Sequence, residues 1–269
     1  MGEPLLYERL SWPQVRDAVG EDRVCLIPAG TLEDHGPHLP IDTDTRIASE
    51  ICRRAAAALP DDVVLLPPII HGYTPHHMAF PGPITIGWET FVKHAVDIGT
   101  SLARHGFRRM LFLNGHGSNI PLMEMAARLV GLEHPGVLAA SAFYLTSPAG
   151  LAAVERIRTS ERGGMGHACE LETSIYLAID PDAVRMDLAV KGGNALEGEH
   201  FWLDWADGPL HLMPWWNALS PTGVHGDPTV ATAEKGRALL DAAVEECVGY
   251  LRELRTKPLP TPLPPSDRA

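Results

Sequence analysis

With 269 residues, 45% of them hydrophobic, the chain is long enough to bury a sizeable core in one large α/β domain. Its formal net charge of −12, from 22 basic and 34 acidic residues, opposes a general role on nucleic acid or on an anionic membrane. No stretch approaches about 18 consecutive apolar residues, no basic-then-apolar segment opens the chain, and the four cysteines form no CxxC pair; a cytoplasmic protein with reduced thiols is expected.

In chain order, RVCLIPAG (23–30) reads as a buried strand ending at a glycine, and DTRIASEICRRAAAALP (44–60) as a helix stopped by Pro60. DVVLLPPII (62–70) reads as a strand, WETFVKHAVDIGTSLARHGF (88–107) as a helix with Gly106 near its end, and RRMLFLNG (108–115) as a third strand. A helix over 119–133, a strand over 136–145 and a helix over 168–179 continue the alternation. This rhythm predicts a mostly parallel central sheet covered by helices on both faces. Residues 192–221 break the period and hold four of the six tryptophans, which marks them as a lid, a binding loop or a subunit contact. A last amphipathic helix is predicted over 231–254. One domain over 1–255 and a proline-rich, extended or disordered tail over 256–269 are expected.

Polar residues gather after the predicted strands, where open α/β sheets place their functional loops. Glu33, His35, His38, Asp42 and Asp44 follow the first strand, and His71, His76 and His77 the second. Asn114, His116 and Asn119 follow the third, and RGGMGHACELE, with His167, Glu170 and Glu172, comes after the fourth. Four loops from separated parts of the chain would thus meet at one sheet edge. Glu33 and His35 lie two apart, so an extended backbone turns both to one side. Carboxylate and imidazole without thiolate suit zinc, manganese or iron(II) in a catalytic site rather than a structural zinc site. Taken alone, Asp44 reads as a helix N-cap and His38 as a solvent-facing residue before Pro40. Glu170 and Glu172 do not share a helix face, so one is expected to serve the site and the other the scaffold.

Other chemistries lack their signatures. No GxSxG elbow, no GxxxxGK[ST] and no strand-following GxGxxG occurs. Cys169, between His167 and Glu170, is a minor candidate nucleophile and otherwise a small packing residue.

Five stretches together resemble the creatininase family of metal-dependent amidohydrolases: ExHGPHLPxxTD at 33–44, FPGPITI at 80–86, NGHGSN at 114–119, HACELETS at 167–174 and TGVHGDPTVATAEKG at 222–236. The resemblance implies a three-layer αβα sandwich, two divalent metal ions per chain and a homo-oligomer, a hexamer in many members. It makes Glu33, His35, Asp44 and His116 metal ligands, with Asp44 bridging, and His167 the catalytic histidine. Creatinine-hydrolysing members carry a further acid two residues after the NGH histidine; here that position is Ser118, and Glu172 or Glu170 would fill the gap. The assignment adopted is Glu172 as ligand and Glu170 beside His167, with His77, Phe80, Ser118, Asn119 and Tyr144 lining the substrate pocket. The tryptophans expected around the creatinine pocket are absent from SAFYLTSPAG and SERGGMGHAC, which puts creatinine itself in doubt. The expected activity is hydrolysis of an amide, lactam or formamide C–N bond in a small molecule. The alternatives are a metallopeptidase trimming a short peptide, as in mycofactocin-precursor processing, and a silent metal-binding scaffold.

Overall fold

The computed structural model describes residues 2–193, 198–206 and 208–261. A first helix, α1 (Trp12–Gly20), carries Pro13 in its first turn and is closed by a capping box between Ser11 and Gln14. Strand β1 (Val24–Ala29) leads into α2 (Thr43–Ala58), β2 (Val63–Leu65) and α3 (Trp88–His105). Strand β3 (Arg109–Asn114), α4 (Ile120–Glu133), β4 (Leu138–Phe143) and α5 (Pro148–Ile157) follow. The rest comprises β5 (Met165–His167), α6 (Glu170–Ile179), α7 (Trp216–Leu219), β6 (His225–Gly226) and α8 (Ala233–Thr256).

The central sheet has the order β2-β1-β3-β4, and every pair in it is parallel. Its strands read as continuous apolar runs because both faces are covered. Alternate residues go to opposite sides. Val24, Leu26, Leu111 and Leu113 face one core with Ile47 and Ile51 of α2, Ile175 of α6 and Leu239 and Ala243 of α8. Cys25, Ile27, Met110 and Phe112 face the other with Phe91 and Ala95 of α3 and Met123 and Val130 of α4. Helix layers on both faces of a parallel sheet make the expected αβα sandwich.

Several predicted elements change. The strand expected over 62–70 is regular only over Val63–Leu65, with one more bridge from Ala29 to Ile69; Pro67 and Pro68 supply no amide to a ladder. Helix α5 and strand β5 intervene between β4 and α6. His167 therefore reaches the site from a small antiparallel pair, β5 with β6, and not from the end of the fourth strand. Of the Trp-rich stretch, residues 194–197 and 207 lie outside the described residues, as do tail residues 262–269. Within the described part of that stretch, Trp205 packs against Phe143 and Tyr144, whereas Trp215 is 59% exposed. Among the described residues no helix is long and apolar enough to cross a membrane.

Candidate metal centre

The loop leaving β1 carries Glu33 and His35, and Gly36 turns it at a φ of 65°, where a side chain would be strained. Asp44 stands in the first turn of α2, where free amides and the helix dipole favour a carboxylate. After β3, Gly115 lets the chain pass the start of that helix: a Cβ there would lie 2.5 Å from the Asp44 carbonyl oxygen. His116 follows. The loop after β2 adds His76 and His77 on a 3-10 turn, β5 adds His167, and the first turn of α6 adds Glu172. All eight side chains are buried.

They form two halves that share Asp44. On one side His116 Nδ1 lies 3.0 Å from Asp44 Oδ2 and 3.3 Å from Glu33 Oε1. On the other, His35 Nε2 lies 3.1 Å from Asp44 Oδ1 and 3.8 Å from Glu172 Oε1. His167 Nδ1 is 3.6 Å from Glu33 Oε1. Ligand atoms of Glu33, His35 and Asp44, and likewise of His35, His167 and Glu172, lie within 4.8 Å of one another.

The donor set fits divalent cations. A backbone carbonyl only accepts, so each histidine that meets one donates through that nitrogen, and in the neutral ring the other nitrogen is left bare. His35 Nδ1 gives its hydrogen to Glu33 O (3.4 Å), His116 Nε2 to Tyr73 O (3.2 Å) and His167 Nε2 to Asp34 O (2.8 Å). The nitrogens turned to the cluster are then His35 Nε2, His116 Nδ1 and His167 Nδ1. Carbonyl anchoring of the far nitrogen is the usual way a ligating imidazole is oriented. Moreover, His35 Nε2 and Asp44 Oδ2 are buried without a hydrogen bond, although each stands about 3 Å from an oppositely disposed partner. Lone pairs brought together this way call for a cation.

Without an ion, protons take that part. Burial lowers the affinity of His116 for a proton, but Glu33 and Asp44 outweigh it and raise its pKa to about 10. His35 is driven well up against the same burial cost by Asp44 and Glu172. Glu33, though buried, is held well below the usual carboxylate range by His116 and His77. His167 goes the other way: burial first, then the neighbouring His35 and His77, push it down to about 4, so its ring is neutral near pH 7.

Glu33, His35, Asp44, His116, His167 and Glu172 are thus brought together. Glu170 is not, and its expected place beside His167 is corrected. It is fully buried, and its oxygens accept from the amides of Thr159 (2.9 Å) and Ser160 (2.8 Å) and from Lys235 Nζ (2.5 Å). Two pocket residues are corrected as well. Tyr144 is 1% exposed, its ring packed between Phe143 and Trp205 in the core. Asn119 is fully buried, its amide spent on Gly30 O and the Tyr73 amide, so it ties loops together instead of meeting substrate. His77 does face the cluster, with Nε2 3.8 Å from Glu33 Oε2. Ser118 sits beside it, Oγ 3.3 Å from His76 Nε2. Phe80 is half-buried just past the 75–77 turn, its amide donating to His77 O at 3.0 Å. His38, expected in solvent, is 1% exposed and bonded through Nε2 to Thr173 Oγ1 at 2.9 Å. Asp44 does not cap α2, whose N-cap residue is Asp42. Cys169 is buried, its thiol pushed well up by burial and by Glu172, and it donates to Glu172 Oε2 at 3.6 Å, the setting of a packing residue and not of a thiolate.

Three participants were missed in the sequence. Asp34 holds two histidines: its Oδ1 accepts from His77 Nδ1 at 2.6 Å and its carbonyl from His167. Thr74 donates its hydroxyl to Glu33 Oε2. Trp216 stacks on His77 (centroids 4.8 Å, 23°) and meets His167 edge-on at 5.0 Å, roofing the rings. The family motif around Glu33 and His35 was the available signal for Asp34; nothing local marked Thr74 or singled out one tryptophan of four.

Comparison with known proteins gives the family of the chain. The creatininase family model, described as creatinine amidohydrolase, matches residues 8–251. The mycofactocin precursor peptide peptidase of Mycobacterium ulcerans is 34% identical over 254 residues, 90% of this chain and 85% of that protein. The creatinine amidohydrolase of Pseudomonas putida is 27% identical over 94% of this chain and 98% of that one. A crystal structure of creatinine amidohydrolase superposes with a TM-score of 0.80 at 25% identity, covering 94% of this chain and 99% of the other. The chain belongs to the creatininase family, whose members are metal-dependent hydrolases.

Proposed function

We propose that this chain hydrolyses an amide C–N bond at a two-ion centre. The observation that carries the reading is the set of carbonyl-anchored histidines whose bare nitrogens meet buried carboxylates on both sides of Asp44. Glu33, Asp44 and His116 would hold one ion, and His35, Asp44 and Glu172 the other. Zinc, manganese and iron(II) all suit such nitrogen and oxygen donors. Bound there, a pair of divalent ions supplies an activated water molecule and polarises the scissile carbonyl.

The proton movements fall to the chain. His167, neutral near pH 7 and anchored through Nε2, presents Nδ1 to take a proton from water and return it to the leaving nitrogen. His77 is held by Asp34 with Nε2 toward Glu33, where it can orient the substrate. Trp216 covers these rings and keeps bulk water from them.

For the substrate, similarity to the mycofactocin precursor peptidases favours a short peptide, and the exposed Met213 and Trp215 beside Ser118 and Trp216 offer it an apolar rim. The doubt over creatinine stands beside this, since the tryptophan over the cluster is Trp216 and not one from the two stretches that carry it in creatinine-hydrolysing members. Small amides, lactams and formamides form the other arm of the test. The decisive experiment is metal analysis of protein reconstituted with zinc, manganese or iron(II), then a panel of short peptides and small amides. About two ions per chain and release of a peptide fragment are expected. Turnover of small amides alone would move the substrate class; no bound metal after reconstitution would end the hydrolase reading.

A further inference from the structure

The two halves of the centre are not equal, and the difference lies in His76. Glu172 reaches only the His35 side, which leaves Glu33, Asp44 and His116 as the three donors on the other. A ring nitrogen of His76 lies within 4.8 Å of ligand atoms of both Glu33 and His116. His76 is 7% exposed, and its Nδ1 is buried with no hydrogen-bond partner. Its Nε2, by contrast, is 3.3 Å from Ser118 Oγ. When Nε2 carries the hydrogen and gives it to that hydroxyl, Nδ1 keeps a free lone pair. This is the arrangement that carbonyls impose on His35 and His116, made here by a side chain.

The ring is also fixed in place. It meets His77 edge-on at 4.4 Å and Trp216 at 6.0 Å, and lies parallel to His116 at 6.2 Å, an interplanar angle of 19°. Pro75 begins the 3-10 turn that carries it.

We propose that His76 is a metal ligand of the Glu33–Asp44–His116 half, giving that ion four protein donors, with Ser118 acting as a positioning residue that sets the tautomer. The residue at 118 then does not leave a vacancy; it serves a nitrogen ligand from a different loop. On the other side His35, Asp44 and Glu172 would hold the second ion. The inference rests on the reading that this cluster holds divalent ions.

The test uses the full chain stripped with a chelator and titrated with Zn2+ against a chromophoric competitor, and separately loaded with Mn2+ for electron spin echo spectroscopy. The unaltered protein should bind two ions and show imidazole nitrogen modulation. His76→Phe keeps an aromatic ring against His77 and Trp216; it should weaken one ion by roughly 100-fold or more, the upper end of what even an outer-shell change costs. The other ion should keep its affinity. His76→Ala should show the same loss and recover affinity with added imidazole. Ser118→Ala should weaken the same ion by less. Two ions bound with unchanged affinities in both His76 variants, and an unchanged nitrogen signal, would overturn the proposal while leaving the two-ion reading intact. No ion bound by the unaltered protein would overturn both.

Discussion

Oδ1 of Asp44 stands 3.1 Å from His35 Nε2, yet that nitrogen makes no hydrogen bond, and the second oxygen of the same carboxylate stands 3.0 Å from His116 Nδ1. One side chain thus serves both halves of the centre. Asp44→Ala should drop metal content from about two ions per chain toward none, whereas His35→Ala and His116→Ala should each remove one. Elemental analysis of purified variants checks this; an Asp44→Ala protein that retains both ions contradicts the shared-ligand arrangement.

Removing the carboxylate of Glu170 should harm folding and not chemistry. Breaking a buried ion pair by deleting one partner costs about 3–5 kcal/mol, and here two backbone amides lose their acceptor as well. Glu170→Ala should therefore lower the unfolding free energy by an amount of that order, read from a shift of the urea midpoint. Its kcat per folded molecule and its metal content should match the unaltered enzyme, and a selective loss of kcat would restore Glu170 to the catalytic group.

Thr74 donates its hydroxyl to Glu33 and is not itself one of the proposed ligands. Thr74→Val removes the hydroxyl and keeps the shape, so Glu33 gains freedom. Metal affinity on the His116 side should fall roughly 10–100-fold, the range for lost outer-shell support. Competition with a chelator measures it, and an unaltered affinity would leave Thr74 a mere packing residue.

Acid should act through His38. Burial first, and the nearby His35 second, lower its pKa from 6.5 to about 4. The unfolded chain therefore binds more protons at this residue between those two values, and stability is lost as pH falls from about 6.5 toward 4. His38→Gln keeps a polar partner for Thr173 and removes the titration. Its melting temperature should decline less steeply than that of the unaltered protein across this window; parallel curves would show that His38 does not titrate there.

The sheet was legible in the sequence because VCLIPA and RMLFLN are apolar runs that a doubly covered parallel strand requires. Helix α3 was legible too, with Gly106 ending it in the left-handed region at a φ of 105°. The short pair β5 and β6 was not: strands of three and two residues carry no period, and their pairing joins segments far apart in the chain. For the candidate site, the motifs drew attention to the residues that meet around Asp44. They did not separate Glu170 from Glu172, since both stand in one helical turn and Lys235, from a distant helix, claims the first. They hid His38 for a related reason: its hydrogen-bond partner, Thr173, comes from α6. Tyr144 and Asn119 looked available to a substrate because a sequence shows residue type and not the Trp205 ring or the Gly30 carbonyl that occupies each.

The donors around Asp44 run from Glu33 to Glu172, and the ring above them is Trp216. A cluster drawn from such separated stretches has no counterpart in a short nascent segment, because closing those loops must precede any reward from the contacts. An ion held there would not seed this fold in the way it seeds a zinc finger, and loading would follow folding. Since the selection among first-row metals depends on their availability as well as on intrinsic affinity, an ion taken up this way would record the supply that the finished molecule met. Two preparations of identical chain, grown in media of different metal content, would then differ in rate with no difference in sequence or fold.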